Sequence, residues 1–246
     1  MRYFIELSYN GKAYHGWQNQ PNAISVQQVL EEALSRILQS KISVVGAGRT
    51  DAGVHALQLF AHFDIDKPLI ENLIFKLNSF LPNDIVVHAI FKVTDDAHAR
   101  FDALSRTYNY SISTKKDVFN FDFSYAFHLP LDIKKMNEAC NILLQYKDFQ
   151  CFSKSNTDVK TYNCTIEHAQ WELTNNELKF VITADRFLRN MVRAIVGTLI
   201  NIGQGKTSID DLHEIIKSKD RSRAGTSVPA HGLYLVKIEY PETIKA

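Results

Sequence analysis

Apolar and polar residues alternate along Arg2–Tyr9, which puts Tyr3, Ile5, Leu7 and Tyr9 on one face and predicts a β-strand. Asn10-Gly11 ends it with turn chemistry. From Ser25 the period changes: Val26, Val29, Leu30, Ala33, Leu34, Ile37 and Leu38 recur every three or four residues, the core-facing stripe of an amphipathic helix. Ser25 with Gln28 three residues on has the form of a capping box. Beyond a glycine-rich stretch, the apolar run Leu57, Leu59, Phe60 and Phe63 predicts a second strand. Pro68 opens a predicted helix with Ile70, Leu73, Ile74 and Leu77 on one face. Leu81-Pro82-Asn83-Asp84 is a turn, and Ile85–Val93 a third strand. The first part of the chain therefore reads β-α-β-α-β.

The outline then repeats. Thr107–Ser113 predicts a strand, and a Phe-rich loop leads to a helix from Asp132 with Met136, Ala139, Cys140, Leu143 and Leu144 as its stripe. Strands at Thr165–Leu173 and Leu178–Ala184 are joined by Asn175-Asn176, a hairpin signal. ADRFLRNMVRAIVGTLINIG reads as one helix closed by Gly203 as its C′ residue. Near its start Arg186, Arg189 and Arg193, three or four apart, would share a face toward an anion. Cations there oppose the helix dipole, so a partner is expected, the more so for Arg193 among Val192, Ala194, Ile195 and Val196. Ser208 caps a helix over Ile209–Lys219, and Leu233–Tyr240 is the last strand. The repeat divides the chain topologically into halves 1–105 and 106–246, with no Gly/Ser-rich linker between them.

Composition narrows the class. The chain has 246 residues, 45% hydrophobic and 22% charged, an ordinary globular mix that supports one large or two small domains. A net charge of +1 excludes a wholesale basic coat, so any nucleic-acid surface is a local patch. Cys140, Cys151 and Cys164 are odd in number and lack a Cys-x-x-Cys pair, so neither a disulfide framework nor a zinc site is expected. Reduced thiols, and with them a cytoplasmic setting, are the expectation. With a strand pattern directly at the N-terminus, no signal peptide is expected. No apolar run reaches the roughly 18 residues of a membrane span.

The candidate chemistry lies in Val44–Ala56, VVGAGRTDAGVHA. Gly46, Gly48 and Gly53 free the backbone for positive φ and for close approach of a ligand. Arg49 and Asp51, two apart, point to the same side of an extended chain, and an Arg within reach keeps an Asp ionised. A fixed, ionised carboxylate in a turn between strands can serve as a nucleophile. Three other readings of the stretch stand beside that one: a phosphate cradle, an Asx-turn that only shapes a hairpin, and a metal shared by Asp51 and His55. Two further stretches mix aromatics with polar residues. Tyr14–Pro21, YHGWQNQP, can stack on bases or hold a loop down. In AHARFDALSRTYNY, Arg100 and Arg106 flank Phe101 ahead of Tyr108 and Tyr110, which suits an RNA backbone and its bases or an ordinary edge strand.

GAGRTDAGVHA resembles the signature of the TruA family of tRNA pseudouridine synthases, and YHGWQ resembles its second signature. Further strings match in order: AHARF, Phe-Leu-x-x-Met-Val-Arg ending at Arg193, and the stretch that reaches Leu233, so the resemblance runs from Tyr9 to Tyr240. It departs at Gln145-Tyr146-Lys147-Asp148-Phe149, where the family has Gly-x-His-Asp-Phe. The resemblance implies an α+β fold of two similar halves whose antiparallel sheets join into one extended sheet, with helices packed behind and a central catalytic cleft. It implies conversion of uridine to pseudouridine at positions 38, 39 and 40 of the anticodon stem-loop, with base flipping and no cofactor or metal. Asp51 would be the nucleophile, with Arg193 and Arg49 holding it charged. Tyr108 would stack on the target base and Leu233 lie beside it. His98, Arg100, Phe101, Arg106, Lys154, Lys160, Arg186 and Arg189 would bind tRNA. A homodimer binding tRNA across both subunits would gather the positive surface that one near-neutral chain lacks. Two rival functions use the same residues: an RNA-binding module without catalysis, and an N-glycosidic hydrolase, which would need a second, water-activating acid.

Overall fold

In the computed structural model, which describes residues 1–155, 159–174 and 177–246, the alternating N-terminal segment is strand β1 (Arg2–Tyr9). The Asn175-Asn176 hairpin signal, and residues 156–158 between Lys154 and Lys160, lie outside the described residues. Helix α1 (Val26–Leu38) follows and buries Val26, Leu30, Ala33, Leu34 and Leu38. Only half of its expected capping box forms. The Ser25 hydroxyl accepts from Gln28 N at 3.1 Å, while the Gln28 side chain turns along the helix to Glu32. Strands β2 (Val45–Gly46) and β3 (His55–Asp64) bracket the glycine-rich stretch. Helix α2 (Leu73–Phe80) and strand β4 (Ile85–Lys92) complete this part. Helix α2 starts five residues later than Pro68 suggested. Asn72 at its N-cap is left-handed (φ 57°), a conformation no right-handed helix passes through, and of the predicted stripe only Leu73 and Leu77 are buried. β1 lies between β3 and β4, antiparallel to both, and β2 pairs antiparallel with β3 opposite His62 and Ala61.

The remaining elements are β5 (Ser105–Ser113), β6 (Tyr125–Ala126), α3 (Ile133–Leu143), β7 (Ile166–Thr174), β8 (Glu177–Ala184), α4 (Met191–Gly203), α5 (Ile209–Ser218) and β9 (Leu233–Glu239). β8 runs antiparallel to β5 on one side and β7 on the other, and the two-residue β6 joins β5 in parallel. Helix α3 packs on β7, α4 and α5, burying Met136, Ala139, Cys140 and Leu143. Leu144, expected in that stripe, is the C-cap and is exposed. Helix α4 is nearly all buried, as its apolar run requires, but begins only at Met191, after a left-handed Asn190 (φ 67°). Arg186 and Arg189 therefore precede the helix and share no helical face with Arg193. Gly203 is the last helical residue and not C′; a Cβ there would lie 2.6 Å from the Met136 sulfur, and the positive φ falls to Gly205 (71°). Ser208 and Asp211 form a complete capping box for α5.

Spatially the chain forms two units, Met1–Leu104 with Leu235–Ala246, and Ser105–Tyr234. A division at residue 105 assigns all of 106–246 to one half, whereas Leu235–Ala246 group with the first unit. β9 neighbours β3 there; Leu104 N donates to Glu239 O at 2.8 Å and Ile238 N to the Gln58 side chain at 2.9 Å. The Tyr240 ring meets Phe4 and Phe60 edge-on at 5.2 and 5.3 Å. The mixed α+β class is the one the resemblance implied. Among the described residues, no helix is long and apolar enough to cross a membrane.

Candidate active site

Asp51 sits half-buried in the loop that leaves β2 and turns into β3, and the loop is pinned on both sides of it. Before it, the Thr50 hydroxyl meets the Tyr9 hydroxyl at 2.8 Å, and Thr50 O accepts from Trp17 N at 3.4 Å. After it, Val54 N donates to Asp51 O at 3.2 Å and Gly53 N to Tyr14 O at 3.3 Å. Gly53 carries the positive φ (78°) that this turn needs. Gly46 is required for another reason: the Trp17 ring lies where its Cβ would be, 2.3 Å away. Nothing approaches the corresponding position at Gly48 within 4 Å. Tyr14 and Trp17 are themselves buried, and Tyr14 donates to Asp84 at 2.6 Å, so YHGWQ holds the glycine-rich loop down. A strand follows the loop, not a helix, so no helix N-terminus is offered to a phosphate. His55 Nδ1 accepts from Gly11 N at 3.1 Å, and among the described residues no group of three or more His, Cys, Asp or Glu could hold a metal ion. Arg49 is exposed and, among the described residues, makes no ion pair; the salt bridge expected from its spacing to Asp51 is not formed, because the chain at 49–51 is not an extended strand.

In the same unit the segment 97–102 folds into a tight turn organised by two histidines. Ala99 N donates to His62 Nδ1 at 3.1 Å. Arg100 N and Phe101 N donate to His98 Nδ1 at 3.1 and 3.3 Å, and His98 N donates to Asp102 at 2.7 Å. Both rings are thus held with Nδ1 unprotonated. Burial, reinforced by the Arg2 charge, lowers both: His62 falls to about 4, and His98 moves the same way. The turn presents Phe101, 73% exposed, with its ring 4.2 Å from the His98 ring and the Arg100 guanidinium 5.6 Å from its centre. An exposed aromatic under a cation is what single-stranded RNA stacks on.

The second unit positions the other predicted residues. Tyr108, on β5, is half-buried with Phe187 edge-on at 5.2 Å. Arg106 donates to Asp185 O at 2.8 Å. Arg193, in the first turn of α4, donates from Nε to Val228 O at 2.7 Å, and Val228 N donates to Arg193 O at 3.2 Å. Sequence reasoning expected a partner for this guanidinium but not that carbonyl, 35 residues away. The strand-like segment 224–228 reaches it because Gly197 and Gly225 let two backbones touch: a Cβ on Gly197 would lie 1.9 Å from Thr226 O. Gly225 N donates to Thr198 Oγ1 at 2.8 Å, and Arg221 donates to Gly225 O and Ser227 Oγ at 3.1 and 2.8 Å. Leu233 is buried at the start of β9; the preceding Gly232 lies under the Tyr110 ring, whose hydroxyl donates to Pro229 O at 2.9 Å. Arg186 N is capped by the Asp185 carboxylate at 2.7 Å, and Arg189 O accepts from Lys154 N at 3.0 Å. The side chains of Arg189, Lys154 and Lys160 are exposed. Phe187, Val228 and the Tyr9–Thr50 pair were missed; each acts through a contact distant in sequence, for which no local pattern exists.

The family model described as tRNA pseudouridine synthase matches residues 7–102 and 139–241. The chain is 55% identical over 246 residues to tRNA pseudouridine synthase A of Parabacteroides distasonis, covering 99% of this chain and 97% of that protein. It is 54% identical to the protein of the same name from Bacteroides fragilis (99% and 98% covered), and 41% identical to that of Thermoanaerobacter pseudethanolicus (96% and 98% covered).

Proposed function

The chain belongs to the tRNA pseudouridine synthase family, and from that membership we propose how its residues turn uridine in tRNA into pseudouridine. It is an isomerase: the C1′–N1 glycosidic bond is replaced by a C1′–C5 bond in the anticodon stem-loop, and the composition of the nucleoside does not change. Asp51 is the reacting carboxylate, adding to C1′ or taking a proton from the sugar. The observation that carries this is a half-buried carboxylate on a loop pinned immediately before and after it by main-chain bonds. Tyr108 stacks on the freed uracil and Leu233 borders it, so that the base rotates without escaping; Tyr108 or water then takes the C5 proton. Arg193 supplies the charge assigned to the catalytic carboxylate, its guanidinium aimed by Val228 O. Arg49, with its head group exposed, belongs to the substrate side of the loop.

Arg100 and Phe101 supply stacking and charge for the arm, with His98 shaping their turn, and Arg106, Lys154, Lys160, Arg186 and Arg189 add phosphate contacts. The targets are positions 38, 39 and 40. The active form is a homodimer, which doubles the basic surface of a chain whose net charge is +1. Three free, buried cysteines support a reducing, cytoplasmic setting. The test is Asp51→Asn on unmodified tRNA. Pseudouridine formation is expected to vanish while tRNA affinity and its fall with salt stay as in the parent protein. Substantial residual turnover removes Asp51 from the reaction, and free uracil in the mixture points to hydrolysis instead.

A further inference from the structure

We propose that Tyr9 and Thr50 form a positioning pair that fixes where the Asp51 carboxylate stands during reaction; this rests on the reading of Asp51 as the reacting group. Thr50 immediately precedes Asp51, and three restraints meet on it. Its hydroxyl bonds the Tyr9 phenol at 2.8 Å. Its carbonyl accepts from Trp17 N at 3.4 Å. The same carbonyl presses against Gly16, where a Cβ would lie 2.3 Å away and φ is +91°. Tyr9 cannot drift. It ends β1, is 4% exposed, and its ring stacks on Trp17 at 6.4 Å and 30°, while Trp17, 2% exposed, is seated on Gly46.

The chain of contacts is therefore rigid from the sheet to the residue before the carboxylate. Threonine is suited to the position, because its β-branch restricts χ1 and a hydroxyl held by a fixed partner then sets the direction in which the main chain leaves. Neither hydroxyl needs to touch substrate for this. What it controls is the starting point of a side chain that must reach one sugar carbon, and a displacement of about 1 Å there lowers a rate about 100-fold. Tyr9 and Thr50 are 41 positions apart, so the pair also ties the loop to a strand that is itself held on both sides, between β3 and β4.

The test uses full-length Tyr9→Phe, Thr50→Val, their double variant, Thr50→Ser and Asp51→Asn. Single-turnover rate on unmodified tRNA, tRNA affinity and thermal unfolding are measured for each. Tyr9→Phe and Thr50→Val are expected to slow the single-turnover step by about 10- to 100-fold with affinity unchanged. The double variant should be no slower than either single, because both remove one bond. Thr50→Ser, which keeps the hydroxyl, should recover most of the rate. A role in packing alone would lower the melting temperature and leave the rate of the folded enzyme intact, which overturns the proposal. So does a double variant slowed by the product of the single effects, or affinity falling in step with rate. If Asp51→Asn is inactive while Tyr9→Phe and Thr50→Val react at the parent rate, only the positioning pair is lost. If Asp51→Asn itself turns over, the nucleophile reading fails and this inference goes with it.

Discussion

Replacing His62 by Asn should remove a large share of the acid sensitivity of the fold. The His62 ring is 5% exposed, accepts from Ala99 N and lies 4.7 Å from His98, with Arg2 adding repulsion toward a proton. Its ordinary value of 6.5 falls to about 4 in the folded protein. The folded state therefore binds its proton later than the unfolded chain does, so this contribution to stability is complete above about pH 6.5 and is lost as pH falls from there to about 4. Between pH 7.5 and pH 5 the linkage amounts to about 2 kcal/mol at most, or about 4–8 °C in melting temperature for a chain of this size. Asp64 and Asp102 favour the proton, and the value of about 4 already includes their pull; His98, lowered in the same direction, adds to the total slope without belonging to His62. In His62→Asn the side-chain oxygen can still accept from Ala99 N, but nothing titrates at that position. Calorimetric melts of both proteins from pH 7.5 to 5 should show the parent losing several degrees more than the variant. Parallel curves would mean that the ring is protonated at no cost, and the account of the 97–102 turn as resting on two neutral imidazoles would be wrong.

Gly197→Ala should cost about 1–3 kcal/mol, seen as a lower melting temperature, because the added methyl would stand 1.9 Å from a backbone oxygen that cannot rotate away. The displaced segment carries Val228 O, so the rate of pseudouridine formation should fall as well; an unchanged melt would show that the 224–228 segment is loosely held. Cys140, Cys151 and Cys164 should resist alkylation at pH 8 in the folded protein and react together once it is denatured, because burial pushes each thiol up to about 12. Rapid labelling of any of them under native conditions would contradict its burial.

β8 was legible because one buried face writes period two into it, and the caps because Ser25, Asp132 and Ser208 accept from the residue three positions on. Asp51 stood out because an uninterrupted string surrounds it. The errors share a cause. Arg186 and Arg189 look helical by spacing, but the Asp185 carboxylate binds the backbone of Thr165 and Arg186, and Asn190 then turns left-handed, so tertiary bonds outweigh local propensity. Pro68 promised a helix that Asn72 delays in the same way. The supports of the candidate site were illegible for a plainer reason: Tyr9 with Thr50, and Arg193 with Val228, are joined only after folding.

Because Leu235–Ala246 complete the unit that Met1–Leu104 begin, that unit stays unfinished while all of Ser105–Tyr234 is being synthesised. Until β9 emerges from the ribosome, the edge of β3 beyond its short pairing with β2 stands open and the Phe4–Phe60 surface that Tyr240 covers stays wet. Closing so long a loop costs little at equilibrium but delays folding. The nascent chain thus passes through an interval of exposed hydrophobic edge, in which chaperone capture competes with aggregation.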